Sequence, residues 1–401
     1  MKQSSIIRSV QSYRNEISKL CSELIQIDTV NPPGDCSKII DVLRGEYKKL
    51  GVDFFTISAE RAALESRKLA YPRENFVASF GSSKKKVGVA IGTHMDVVPA
   101  GDPGKWKYHP FSGKIADGKI WGRGACDAKC SLVAQIYALK ALVECNVSLD
   151  RSLLVIGTVD DEAPKDETWP GMRFVVGSGL RKLGFSLPMY AINAEASGLE
   201  NIWGIFTGSV ALKLAFHGRV GHPPVGINAL EEAATFWANL IARKDVGRPR
   251  LSWLSGGSDS DLGLTPQLAN MIIRTSFHKD SNSGEILQRI KDEIRSQEKQ
   301  KNLPRTSIEL IARQEAFDIG KRNILTSALL DASRSVGVRA AYGGGIVGSG
   351  DLCYFLEKGI PGVTYGAGSL ERCHVPNEFV TVDEVVKQAE IYALAALKLC
   401  S

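Results

Sequence analysis

Four apolar runs, too continuous to lie at a surface, constrain this chain most: KVGVAIGTH (86–94), SLLVIGTV (152–159), MYAIN (189–193) and GVTYG (362–366). A strand with one wet face alternates apolar and polar residues. These runs do not alternate, so both faces of their strands must be covered, as in a parallel sheet flanked by helices. Helical spacing fills the intervals, with Leu132, Ile136, Leu139 and Val143 on one face of one stretch and Ile17, Leu20, Cys21 and Leu24 on another. The second stretch stops at Asn31-Pro32-Pro33-Gly34, which cannot continue a helix. The expected fold class is therefore α/β, a mostly parallel sheet with helices on both faces.

One segment follows another rule. From 208 the pattern has a clean period of two (Val210, Leu212, Leu214, Phe216), the mark of a strand with one buried face. A helix (228–244), strand-like RLSWLS (250–255) and MIIRTSF (271–277), a helix (283–300) and the strand TSIELIA (306–312) complete the order β-α-β-β-α-β of a small ferredoxin-like α+β domain. With 401 residues, more than one hydrophobic core usually fills, the chain reads as a discontinuous α/β domain (1–207 and 317–401) with an inserted domain at 208–316.

Composition excludes other classes. No apolar run approaches the roughly 20 residues of a bilayer span, and the amino-terminal residues have no apolar block of a secretory signal, so the expected location is the cytoplasm. The eight cysteines (Cys21, Cys36, Cys126, Cys130, Cys145, Cys353, Cys373, Cys400) have no zinc-finger spacing and read as thiols. The net charge of +6 comes without a Lys/Arg block or aromatic-basic interleaving, so no nucleic-acid partner is expected.

The carboxyl ends of the strand-like runs carry His94 and Asp96, then Asp160, Asp161 and Glu162, then Glu195, with His374 a few residues beyond the last. In open α/β sheets the loops leaving these ends converge, and sites are built there. Ordinary strand ends carry Gly, Asn or Ser; several ends bearing only imidazoles and carboxylates point to a cation site. His94 and Asp96, two apart, share a face, so the carboxylate could accept one ring N–H while the other nitrogen binds metal. Asp127, just before a helix beginning near Cys130, could bridge two cations. In Asp161-Glu162 one acid could bind metal while the other works on water.

These pieces resemble the zinc-dependent amidohydrolase and exopeptidase family of acetylornithine deacetylase, succinyl-diaminopimelate desuccinylase, aminoacylase and glutamate carboxypeptidase. The resemblance is carried by GTHMDVVPAGDPGKWKYHPFSGKIADGKIWGRGACDAK (92–129), TVDDE (158–162), NAEASGL (193–199), GRVGHPPVGINA (218–229), GSGD (348–351) and GIPGVTYGAGSLERCHVPNEFV (359–380), in the family's order over nearly the whole chain. It implies a di-metal catalytic domain with a lid and dimerisation domain at 208–316, acting as a homodimer on an N-acyl amino acid or short peptide. It further implies that His94 and Glu195 hold one metal, Glu162 and His374 the other, and Asp127 both, with zinc preferred and cobalt or manganese able to substitute. Asp96 would orient His94. Asp161 would be the general base, taking a proton from a water shared by the metals and passing it to the leaving amine. His222 matches the lid histidine that reaches a neighbouring subunit's site and steadies the oxyanion.

Substrate contacts are expected from Arg274, which could clamp an α-carboxylate bidentately, and from backbone N–H groups at Ser349 and Gly350. The sequence departs from the family pattern at three places. Asp161 stands where glutamate is usual, Ala128 and Cys130 follow the bridging aspartate, and FTGSV (206–210) lacks the basic residue of desuccinylases. A cis peptide is expected after Asp127. The implied activity is amide hydrolysis of an N-acyl amino acid; the alternatives are a metallo-carboxypeptidase or dipeptidase with the same site, or a catalytically silent ligand-binding relative.

Overall fold

The computed structural model describes residues 2–60, 71–81, 83–162, 170–222, 225–257, 264–344 and 350–401. The chain forms two compact units. The larger contains the residues up to Gly204, Ile319–Gly344 and Gly350–Ser401, and the smaller is Ile205–Asp318.

At the centre of the larger unit four strands run parallel in the order Ser152–Thr158, Val87–His94, Tyr190–Asn193, Gly362–Thr364. All eight residues of Val87–His94 and all seven of Ser152–Thr158 are buried, as their unbroken apolar runs require. The margins are antiparallel. Asp53–Ser58 and Glu74–Phe80 extend one side, and Asn201–Phe206 continues the other. The parallel register sets His94 beside Thr158 and Gly92 beside Asn193. Neighbouring strands thus end level, and the loops that leave them meet at one edge.

Helices Arg14–Gln26, Lys129–Glu144 and Val382–Leu399 pack together over the sheet. The helix Lys129–Glu144 is buried along most of its length, from Leu132 through Ile136 and Leu139 to Leu142, because its apolar residues surround it rather than form a stripe. Val382–Leu399 starts from a capping box in which Thr381 and Glu384 satisfy each other's backbone N–H groups. A small three-stranded sheet of Lys114–Ala116, Lys119–Trp121 and Phe379–Thr381 completes the unit.

The smaller unit is a four-stranded antiparallel sheet in the order Arg248–Gly256, Leu268–Phe277, Gly208–His217, Ser307–Gln314, with helices Ala229–Ala242 and Ser283–Lys301. In this order each helical crossover passes over one intervening strand, the split β-α-β arrangement expected from the pattern. Val210, Leu212, Leu214 and Phe216 fill its core against Phe236, Ile286, Ile290 and Ile294. Asn228 and Asn282 cap the two helices through their side chains.

Candidate metal centre

Four strand-end loops bring five of the expected ligands together. His94 closes its strand with its ring 2% exposed. Its Nε2 lies 3.0 Å from Asp127 Oδ1 and 3.5 Å from Glu195 Oε1. The second oxygen of Asp127, Oδ2, lies 3.1 Å from His374 Nε2, which is 3.0 Å from Glu162 Oε1. The ligand atoms fall into two sets, His94–Asp127–Glu195 and Asp127–Glu162–His374, each within 4.8 Å. Asp127 belongs to both and offers one oxygen to each.

These sets fit a pair of small divalent cations. Tetrahedral zinc with ligands at about 2.0–2.1 Å spaces neighbouring ligand atoms by roughly 3.3 Å, close to the separations between the imidazoles and their carboxylates. Charge supports the same reading. Burial opposes a proton on His94, but Glu195 and Asp127 outweigh it and hold the imidazole well above its ordinary range. His374 is drawn up to about 10 by hydrogen bonds to Asp127 and Glu162. Burial pushes Glu195 up to about 8, while the two imidazoles, acting against burial, pull Asp127 below the ordinary carboxylate range. So many half-buried carboxylates are balanced only by positive charge, which protons on the rings or cations can supply.

Local backbone geometry aims these groups. The peptide Asp127-Ala128 is cis, and Asp160 and His374 sit at positive φ (63° and 60°), a conformation non-glycine residues adopt only where the surroundings enforce it.

Asp96 differs from expectation. His94 Nδ1 faces the backbone carbonyl of Asp96 at 2.8 Å, whereas its carboxylate is 3.7 Å away. That carboxylate accepts instead from the backbone N–H groups of Asp161 and Glu162, both at 3.1 Å, and from Asn31 Nδ2 at 2.8 Å. Sequence spacing places residues 94 and 96 on one face and leads to the expectation that the Asp96 carboxylate would meet the ring. The main chain does so instead, which frees the carboxylate to hold the Asp161–Glu162 turn; burial pushes it up to about 6.

A second buried carboxylate, unnoticed in the sequence, acts alike on the neighbouring loop. Glu378 accepts from the N–H groups of Cys126 (2.8 Å) and Asp127 (3.1 Å) and pairs with Arg123 at 2.5 Å, both side chains at most 2% exposed. Its signal was present in HVPNE, four residues after His374, and in GRGACD. Asn31 stands in the sequence only as part of a helix stop, and Arg73 belongs to no local motif.

Among the remaining expected residues, Gly350 is exposed at positive φ (54°) in the turn before buried Asp351. Ser349 lies outside the described residues. His222 and Arg274 belong to the smaller unit, where both are exposed. His222 accepts at its backbone carbonyl from Val225 and Gly226, and Arg274 stands on the strand face opposite Met271 and Ile273. Cys126 and Cys373 flank two candidate ligands with their sulfurs 3.6 Å apart, buried around Ala196.

The family model for peptidase family M20/M25/M40 matches residues 90–398, most of the chain and every candidate ligand. The protein belongs to that family. Among M20-type relatives, an uncharacterized metallohydrolase of Methanococcus maripaludis is 24% identical over 430 aligned residues, spanning 96% of this chain and 99% of that one. Succinyl-diaminopimelate desuccinylase 2 of Shewanella loihica is 29% identical over 192 residues, covering 46% of this chain and 47% of its own. The fold resembles the crystal structure of aminopeptidase PepT from Bacillus cereus, with a TM-score of 0.77 at 18% identity over 97% of this chain and 99% of that one. This M20 chain is thus a metal-dependent amidohydrolase, with candidate ligands for a dinuclear centre. No helix among the described residues is long and apolar enough to cross a membrane.

Proposed function

We propose that the protein hydrolyses the amide bond of an N-acyl amino acid at a dizinc centre, with cobalt or manganese able to replace zinc. The observation that carries this reading is Asp127, whose two oxygens face two different imidazoles at 3.0 and 3.1 Å. In this reading His94 and Glu195 hold one ion and Glu162 and His374 the other. When bound, the cations supply Lewis acidity, lowering the pKa of water and polarising the amide carbonyl.

The chain's own residues do the rest. Asp161, in the turn fixed by Asp96, takes the proton from the attacking water and delivers it to the leaving nitrogen. Its side chain is one methylene shorter than glutamate, and the turn held by two backbone hydrogen bonds to Asp96 fixes how far it reaches. Arg274 binds the substrate carboxylate through its guanidinium fork, and backbone N–H groups at Ser349 and Gly350 bind the same substrate. The smaller unit is a lid and dimerisation domain, and His222 acts on the oxyanion in a partner subunit's site of a homodimer.

FTGSV, without the basic residue expected of desuccinylases, weakens a dicarboxylate-specific reading, and the second reading is a metallo-carboxypeptidase or dipeptidase using the same centre. Hydrolysis of N-acetyl-ornithine, N-succinyl-diaminopimelate and simple dipeptides, with and without chelator, separates the two. Acyl amino acids are expected to be cleaved fastest, with activity lost to chelator and restored by zinc. Cleavage of dipeptides alone would move the conclusion to the second reading, and chelator-insensitive cleavage would refute both.

A further inference from the structure

The turn Asp160–Asp161–Glu162 is held from behind by a buried chain of polar groups that begins at Arg73. In the antiparallel pair of Glu74–Phe80 with Ser152–Thr158, Phe76 faces Gly157. Continuing that register outward by three residues sets Arg73 opposite Asp160. Arg73 Nε donates to Asp160 Oδ2 at 2.8 Å, and its other nitrogens donate to the carbonyls of Pro33 (2.6 Å) and Gly34 (3.3 Å). Asp160 Oδ1 accepts from Asn31 Nδ2 at 2.8 Å, which also donates to Asp96 Oδ2 at 2.8 Å. Asp96 then accepts the N–H groups of Asp161 and Glu162. Arg73, Asn31, Asp96 and Asp160 are each at most 3% exposed.

Two physical points argue that this chain serves the site. A buried ion pair adds little net stability compared with apolar residues of similar volume, because desolvating two charges offsets their attraction. Asp160 also sits at φ 63°, a strained backbone for a non-glycine residue. Both costs fall immediately before Asp161 and Glu162, and the guanidinium fork is rigid enough to fix that turn against the 31–34 segment.

We propose that Arg73 is a positioning residue: through Asp160 and Asn31 it fixes the turn that carries Asp161 and Glu162. The proposal rests on the reading of Asp161 as base and Glu162 as ligand.

The variant Arg73→Lys keeps the buried charge beside Asp160 and loses the fork. Folded protein is expected to bind one of its two zinc equivalents on the order of tenfold more weakly in a competition titration, as is usual when support behind a ligand is removed. Its kcat is expected to fall by on the order of tenfold with KM little changed, since the network touches no substrate group. Asn31→Ala cuts the link between Asp160 and Asp96 without stranding a charge; it should act the same way, and it decides alone if Arg73→Lys does not fold. A folded variant that lowers only the unfolding temperature, with wild-type kcat or with both zinc equivalents as tight as in the parent, would overturn the proposal. A fully active Asp161→Ala would instead remove the assignment of the base, and the zinc titration of Arg73→Lys would still report on the turn.

Discussion

The two units bury different kinds of residue. Among the described residues every buried charged side chain lies in the larger unit, including Arg73, Asp96, Arg123, Lys129, Asp160, Glu378 and Glu390. The buried polar residues of the smaller unit are Thr265, Thr275, Ser283 and Gln297, all neutral. The smaller unit is thus held by ordinary apolar burial, with one sheet face packed on two helices. The larger unit accepts desolvated charge, most of it within one or two residues' reach of His94, Asp127, Asp161 and Glu162. Stability is spent there on orientation.

The sharpest way to break this contrast is to ask whether the smaller unit supplies chemistry after all. Asp161→Ala is expected to lower kcat by about 10²–10⁴ with zinc content retained, and His222→Ala to lose activity as well. If His222 works in a partner subunit's site, mixing the two inactive variants should recover activity through hybrid dimers. No recovery despite demonstrated hybrids would sink the shared-site reading, whereas a fully active His222→Ala would return all the chemistry to the larger unit.

A smaller effect is expected when one buried polar group is removed from each kind of environment. Glu378→Gln leaves Arg123 without its carboxylate and should cost about 3–5 kcal/mol in denaturant unfolding. Thr275→Val in the smaller unit removes only the hydrogen bond to the Val246 carbonyl and should cost about 1 kcal/mol. Equal losses would mean that the two interiors do not differ as described.

The subtlest test uses Glu390, in the helix Val382–Leu399. Burial pushes its carboxyl up to about 7 from an ordinary 4.5. Between those values the folded chain keeps a proton that the unfolded chain releases, so this group's contribution to stability falls as pH rises from 4.5 to 7 and is level above. Glu390→Gln should therefore stabilise the protein more at pH 8 than at pH 5. A denaturation midpoint difference independent of pH would show that Glu390 does not carry this linkage.

Much of the architecture was legible because burial leaves periodicity. Unbroken apolar runs gave the parallel strands, and the alternation of Val210, Leu212, Leu214 and Phe216 gave the smaller unit's sheet. The candidate ligands were legible because imidazoles and carboxylates stand at strand ends where other residues are usual. The marginal strands Asp53–Ser58 and Glu74–Phe80 escaped notice because they are partly buried and follow neither pattern. Arg73 and Asp160, 87 positions apart, meet only through the register of two strands, which no local motif encodes. Asp96 shows a different limit: spacing selects a face, but the choice between carbonyl and carboxylate depends on what else each can bond.

In the proposed reading, strand-end loops of the larger unit hold two cations on either side of Asp127. A crystal structure of zinc-loaded protein, read by anomalous scattering, tests it most directly. Two peaks are expected about 3.5–4 Å apart, one between His94 and Glu195, the other between Glu162 and His374, with one Asp127 oxygen directed at each. A single peak at saturating zinc, or two peaks that do not share Asp127, would contradict the account.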